Sequence, residues 1–426
     1  MEHRGIRAIA LALAALVLLL VALPAASAAK HRRLAVPPPT PVPVPGGGTS
    51  PSPFPTVLRT PPPSATIPRL AVGAAVLEDL DTGQVLLASN GDEERPIASL
   101  TKLMTAVLVL RRAGLDHVVT VSDAASTEVG GVGVSELGLE TGERITVEQL
   151  LYALLLQSAN DAAVALAEDV SGSVEQFVRA MNAQARRFGM RHTRFFSPNG
   201  LDDRGYSTAL DLARLARVAF AMPDFDRVAS TKFHEIPAPS GPPREIQNRN
   251  VLLWLYRGAL GGKTGYTSAA GFCVVAAAHR EGVRLVAVVL GDPGEPFSAA
   301  ATLLDYGFAA FSRRHLVDAG QAFGPVIVQG RRVGVATGRA VEALVRSDAK
   351  IRFAVLPHPG VTFPPGLGEA VATLRVEAGA TVLRRIPLLA TRVPPPPEPP
   401  DPGPWWRRAG SAVAGAVSSL VSGLFG

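Results

Sequence analysis

The sequence predicts an α+β protein in which one antiparallel sheet is covered by helices and followed by a small all-β module. Three observations carry this. Apolar runs of strand length come in pairs at both ends of the stretch 69–317, with strongly apolar helical patterns between them. From about Asp318 to Val393 the texture changes to short apolar runs separated by Gly and Pro. Proline is segregated: of 37 prolines, 13 lie in Pro37–Pro68 and eight in Pro394–Pro404, so the excess belongs to spacers and not to folded parts.

The elements follow in order. Arg69–Asp79 and Gln84–Ser89 flank Asp81-Thr82-Gly83 and read as a hairpin. Pro96 precedes a helix from about Ala98 to Arg112 that is apolar nearly all round, hence buried. Thr146-Val147-Glu148-Gln149 is a capping box opening a second apolar helix, and Ser173-Val174-Glu175-Gln176 repeats the device for a third. Ser207–Phe220 is a fourth. Phe272–His279 and Arg284–Leu290 form a second hairpin of buried strands, and Ser298–Arg314 a final helix. With strands at both ends, segments distant in sequence must pair. In the module 318–393, Pro325–Val328, Ile351–Val355, Ala370–Val376 and Thr381–Arg385 are the expected strands, and none carries a catalytic grouping.

The ends point to the cell envelope. Arg4 and Arg7 precede an apolar run of 16 residues, Ala8–Leu23, and then Pro24 and Ala26-Ser27-Ala28. That is a signal peptide over 1–28, cut after Ala28. The run falls short of the roughly 20 residues that span a bilayer, which weighs against an uncleaved anchor. Residues 29–68 and 394–404 are Pro-rich linkers. In 405–426, Trp406, Ala409, Val413, Ala416, Val417, Leu420 and Leu424 share a helical stripe opposite Arg407, Ser411, Ser418 and Ser422. This is an amphipathic membrane-anchor helix, with Trp and Arg paired at one end. The expected location is outside the cytoplasm, at the outer face of the cytoplasmic membrane or in the envelope.

Composition excludes other classes. The net charge of +6 comes from the flanks: 69–318 carries 24 basic and 29 acidic residues, which argues against a nucleic-acid partner. The lone cysteine, Cys273, excludes an intramolecular disulfide and a cysteine-ligated zinc or iron–sulfur site, and in a predicted strand it reads as a small buried hydrophobe. None of the eight histidines forms H-E-x-x-H, so no metal or other cofactor is expected.

Three motifs carry chemistry. Ser99 and Lys102 form S-x-x-K at the start of a buried helix, where i and i+3 share a face. A serine hydroxyl needs a base, and lysine serves only with a lowered pKa, here through burial and a neighbouring cation such as Lys263. Gln157-Ser158-Ala159-Asn160-Asp161 interrupts the helical pattern Glu148–Glu168 with polar groups that need partners. Gly261-Gly262-Lys263-Thr264-Gly265-Tyr266-Thr267 places a lysine among glycines just before a strand, and with Arg257 in place of a glycine it is no P-loop. Each alone is a common pattern; S-x-x-K, S-x-N and K-T-G in this order are specific.

On these residues the chain resembles the serine-type D-alanyl-D-alanine carboxypeptidases, the low-molecular-weight penicillin-binding proteins of peptidase family S11. Ala98–Thr105, Leu154–Ala163, Phe196–Leu201, Tyr206–Ala209, Asn248-Arg249-Asn250 and Lys263–Thr267 all look like family segments. The resemblance implies a penicillin-binding, transpeptidase-like domain over 69–317, with the β-rich domain and tail fitting in type and order. It implies attack by Ser99 on the bond between two terminal D-alanines of peptidoglycan stem peptides, trimming the cell wall. Lys102 would take the serine proton, Ser158 would relay a proton to the leaving amine, and Asn160 would bond Lys102 and the substrate amide. Lys263 and Thr264 would meet the carboxylate, and the N–H groups of Ser99 and Tyr266, set by Gly265, would form the oxyanion hole. β-Lactam antibiotics would acylate the same serine.

The sequence departs from the family at one place. Related enzymes carry a carboxylate-binding arginine before the final helix, whereas Asp292–Ser298 has none. Lys263, Thr264 or another arginine must compensate, or the substrate preference is altered. Two alternatives stand beside the carboxypeptidase: a β-lactamase-like hydrolase, separated by comparing peptide with β-lactam turnover, and a silent muropeptide-binding scaffold, separated by penicillin labelling.

Overall fold

The computed structural model describes residues 58, 60, 63–127, 135–379 and 381–396, together with 409–410, 413–415 and 417. The expected leader 1–28, most of both proline-rich linkers and most of the tail lie outside the described residues. The chain divides into two compact units between Ala310 and Phe311.

The first unit is built on a five-stranded antiparallel sheet. Its strands are β1 (Ala74–Asp79), β2 (Val85–Ser89), β3 (Ala259–Thr267), β4 (Gly271–Arg280) and β5 (Val283–Asp292). They lie in the order β2-β1-β5-β4-β3, so the first and last thirds of the unit pair through β1 and β5. Both expected hairpins are present in this sheet. K-T-G lies just ahead of β4, as expected, and is itself part of edge strand β3, which pairs with β4.

The helices of six or more residues are α1 (Lys102–Arg112), α2 (Val147–Tyr152), α3 (Asn160–Ser171), α4 (Val174–Arg187), α5 (Ala209–Phe220), α6 (Pro223–Ala229) and α7 (Pro296–Ala310). Every residue of α1 from Lys102 to Val109 is buried, and Arg111 and Arg112 close its last turn, where cations complement the helix dipole. Thr146 and Ser173 cap α2 and α4 by accepting from the N–H groups of Gln149 and Gln176 at 3.3 and 3.2 Å. Thr208, not Ser207, caps α5. One apolar core joins α1, α2, α3 and α5 to the inner face of the sheet through residues such as Leu103, Val107, Leu151, Leu166, Leu212 and Val275.

The final helix ends four residues earlier than its pattern suggests. Phe311–Val317 is a strand, β6, and opens the second unit. β6 pairs with β9 (Val341–Arg346) across β7 (Ala322–Val328) and β8 (Arg331–Thr337) in sequence. With β10 (Ile351–Pro357), β11 (Ala370–Ala378) and β12 (Thr381–Arg392), a second five-stranded antiparallel sheet forms in the order β7-β8-β12-β11-β10. This unit has its own core, including Val333, Val345, Leu374 and Leu388.

Candidate active site

The nucleophile turn comes first. A 3-10 turn over Ala98–Thr101 leads into α1, and Ala98 takes a left-handed conformation at φ 47°. Ser99 is half-buried and Lys102 fully buried, one turn apart. Lys102 Nζ lies 3.0 Å from Ser99 Oγ. It also lies 2.6 Å from Asn160 Oδ1 and 2.7 Å from the Asn199 carbonyl oxygen. A neutral amine has two N–H donors and one lone pair. Asn160 Oδ1 and the Asn199 carbonyl can only accept, so they take the two protons, and the lone pair is left facing the one neighbour that can donate, the Ser99 hydroxyl. Burial, first, and then the Arg249 guanidinium hold the Lys102 pKa well below the ordinary lysine value, against a smaller opposing pull from Asp161. The sequence points to Lys263 as the neighbouring cation; the Lys102 and Lys263 charges do repel each other, and Arg249 adds to both.

The second wall is a break between two helices. After α2 the chain widens into a π-helical turn over Ala153–Gln157, which ends at Ser158 in left-handed backbone, φ 66° and ψ 32°. A non-glycine residue there stores strain, which the surrounding core must hold. The reversal puts Ser158 and Asn160 on the side of Lys102 and starts α3 at Asn160. Asp161 fixes this corner. Its carboxylate accepts from the N–H groups of Leu137, Gly138 and Leu139 at 2.8–3.1 Å. The Asn160 N–H donates to the Ser135 carbonyl at 2.9 Å, so segment 135–139 is laced to the S-x-N corner.

Edge strand β3 forms the third wall. Lys263 is buried, and its Nζ lies 2.9 Å from Ser158 Oγ and 2.7 Å from the Thr264 carbonyl. Burial, then the Lys102 and Arg249 charges, push its pKa well below the ordinary value. Gly265 explains the third letter of the motif: a Cβ there would come within 3.0 Å of the Ser99 backbone nitrogen. Tyr266 is exposed beside Phe272, ring centroids 4.5 Å apart, on the strand rim. Below the nucleophile turn, Gly200 sits at φ 82°, where a Cβ would lie 2.0 Å from the Ala98 carbonyl oxygen.

The fold therefore gathers Ser99, Lys102, Ser158, Asn160 and Lys263 into one cluster, with Gly265 against the nucleophile turn and Thr264 and Tyr266 next to it on the same strand. Sequence reading assigned no site role to Asn199, whose contribution is a backbone carbonyl, to Asp161, or to Arg249. Arg249 is largely buried, its own pKa is lowered by that burial, and its Nε has no hydrogen-bond partner among the described residues. The signal available was a lone arginine between two asparagines, Asn248 and Asn250, both buried. Cys273 is buried in β4, and burial pushes its thiol up to about 11, so it is not a nucleophile at neutral pH.

The chain is similar in sequence and fold to known proteins. Residues 62–294 match the model of the D-alanyl-D-alanine carboxypeptidase family, peptidase S11. D-alanyl-D-alanine carboxypeptidase DacF of Bacillus subtilis is 31% identical over 328 residues, 74% of this chain and 84% of that protein. D-alanyl-D-alanine carboxypeptidase DacB2 of Mycobacterium tuberculosis is 38% identical over 58% of this chain and 86% of its own length. Among solved structures, penicillin binding protein 5 from Haemophilus influenzae superposes with a TM-score of 0.66 at 28% identity, covering 77% of this chain and 98% of that one. The chain belongs to the D-alanyl-D-alanine carboxypeptidase family of serine peptidases.

Proposed function

We propose that the protein hydrolyses the terminal D-Ala-D-Ala bond of peptidoglycan stem peptides through an acyl-enzyme on Ser99. The observation that carries this is the fully buried Lys102 amine, its Nζ 3.0 Å from Ser99 Oγ. Lys102 takes the serine proton as Ser99 Oγ attacks the carbonyl carbon of the penultimate D-alanine. Charge developing on the carbonyl oxygen meets the Ser99 and Tyr266 N–H groups. Ser158, 2.9 Å from Lys263 Nζ, relays the proton taken up by Lys102 to the leaving amine, so that Lys102 is neutral again when the amine departs. The terminal D-alanine departs, and water cleaves the ester, returning Ser99 and the shortened peptide. β-Lactams acylate the same oxygen. The family to which the chain belongs favours this reaction over a β-lactamase or a silent scaffold.

The missing arginine before α7 has a replacement in Arg249. Its charge acts on both buried lysines, Lys102 and Lys263, and its buried Nε has no partner among the described residues, so its guanidinium supplies the positive charge that the missing arginine would bring to the substrate carboxylate. The enzyme is exported on the signal over 1–28 and held at the outer membrane face by 405–426. In support, residues 409–410, 413–415 and 417 are helical and exposed, Val413 at 61% and Val417 at 53%, as a face seeking lipid would be. Among the described residues no helix is long and apolar enough to cross a membrane. The test is incubation with a peptide ending in D-Ala-D-Ala, read by mass spectrometry. Loss of a single alanine is expected; an intact peptide alongside β-lactam turnover would oppose the reading.

A further inference from the structure

We infer that the groove between α4 and the segment Arg194–Tyr206 is a second substrate-binding site, which holds carboxylates of the wall peptide away from the scissile bond. This rests on the carboxypeptidase reading and adds a place where the rest of the polymer is held.

The groove encloses about 940 Å³, room for several residues of a bound chain, and Arg179, Arg186, Arg191 and Arg194 line it together with Phe196 and Tyr206. Residues 176–201 contain five arginines and no aspartate or glutamate, inside a stretch, 69–318, whose net charge is −5 (24 basic, 29 acidic). Elsewhere in the same unit, Arg214, Arg217, Arg227 and Arg244 are paired with Asp211, Glu78, Glu148 and Glu143. Among the described residues the four groove arginines have no ion pair within 4 Å, Arg179 feeling only the charge of Glu175 one turn earlier, and all four are exposed. Like charges gathered without partners repel one another, and a carboxylate-bearing ligand relieves that repulsion through bidentate hydrogen bonds.

The floor is fixed in advance. The Asn182 side chain donates to the Phe195 carbonyl at 2.8 Å and accepts from the Phe195 N–H at 2.9 Å, tying the floor to α4. Arg194 and Tyr206 exchange backbone hydrogen bonds at 2.9 and 3.0 Å. The Phe196 ring lies under the guanidinium groups of Arg194 and Arg204, at 5.0 and 4.8 Å.

Two lining residues of the groove are tied through the chain to the nucleophile turn. Phe196 is three residues from Asn199, whose carbonyl holds Lys102, and Tyr206 pairs with Pro96, three residues before Ser99. Three residues span at most about 11 Å. Phe196 and Tyr206 therefore lie within reach of the nucleophile turn, which favours carboxylates of the wall peptide over a separate polyanion.

Two measurements test this. In the first, kcat and KM are compared on a D-Ala-D-Ala muropeptide with free side carboxylates and on the same molecule with those carboxylates amidated. The unmodified enzyme should prefer the acidic form through KM. Arg186→Gln with Arg194→Gln should shrink the ratio of the two KM values about tenfold, the loss expected for charge-assisted hydrogen bonds. An unchanged ratio, or equal damage on both substrates, overturns the inference. In the second, full-length protein carrying Ser99→Ala is titrated with an acidic muropeptide that lacks both terminal alanines. Saturable binding weakened by the arginine changes is expected. No binding, or displacement only by a glycerol-phosphate polymer, overturns it. If the unmodified enzyme releases no alanine from either peptide, the carboxypeptidase reading fails by itself, and the titration still decides on the groove.

Discussion

Lys263 Nζ sits 2.9 Å from Ser158 Oγ, while Lys102 Nζ sits 2.6 Å from Asn160 Oδ1. The two buried lysines thus take the two polar side chains of one helix break, one lysine each. In the proposed mechanism, one serves bond formation at Ser99 and the other serves departure of the leaving amine.

Lys102 should give activity a basic limb. Its folded pKa is lowered, so the amine loses its proton, and activity rises, at a pH well below the ordinary lysine value of 10.5. Stability moves in the same direction. Between the folded pKa and 10.5 the unfolded chain binds more protons than the folded one, so stability increases with pH across that window. Lys102→Arg keeps a proton throughout and should lose activity by on the order of a thousandfold or more. The pH–rate profiles of both proteins check this; near-normal turnover in the arginine variant would remove the general-base role.

Arg249 should influence both chemistry and binding. Arg249→Gln removes a positive charge that disfavours protonated Lys102, so the basic limb should move to higher pH. KM for a free-carboxylate peptide should rise about tenfold. Arg249→Lys should restore the position of the limb. A glutamine variant with an unmoved limb and normal KM would separate Arg249 from the site.

Asp161 should matter for stability first. Asp161→Ala leaves the N–H groups of Leu137, Gly138 and Leu139 without their acceptor, at a cost of about 3 kcal/mol. Denaturant unfolding measures this. Hydrogen exchange over 135–139 should quicken as well; unchanged protection there would mean that the corner is held by other contacts.

Removing 394–426 should release the enzyme from the membrane fraction without lowering turnover of a soluble peptide. The last strand, β12, ends at Arg392, so both units keep their sheets. Truncated protein that stays with the membrane would point to the N-terminal apolar run as an anchor.

Much of this was legible in the sequence because local rules and function agree. The Thr146 and Ser173 caps, the apolar α1 and the turn-flanked strands each follow from a few neighbouring residues. The three motifs stand out because polar groups interrupt apolar patterns, as at Ser158. Other features depend on contacts between distant residues. Arg249 lies 147 positions after Lys102, and the Asn199 carbonyl leaves no mark in residue identity. The end of α7 was hidden for a different reason: Phe311–Arg314 continues a helical pattern, and only pairing with Val341–Arg346 makes it a strand. K-T-G likewise becomes part of a strand through β4, against glycine's weak strand preference.

The most direct test of Ser99 as nucleophile is to label full-length protein with a penicillin, digest it and map the adduct by mass spectrometry. The predicted result is one covalent adduct on the peptide carrying Ser99, absent from Ser99→Ala while that variant keeps its folded circular-dichroism spectrum. A stable adduct on another residue, or one that persists in the alanine variant, would contradict the account.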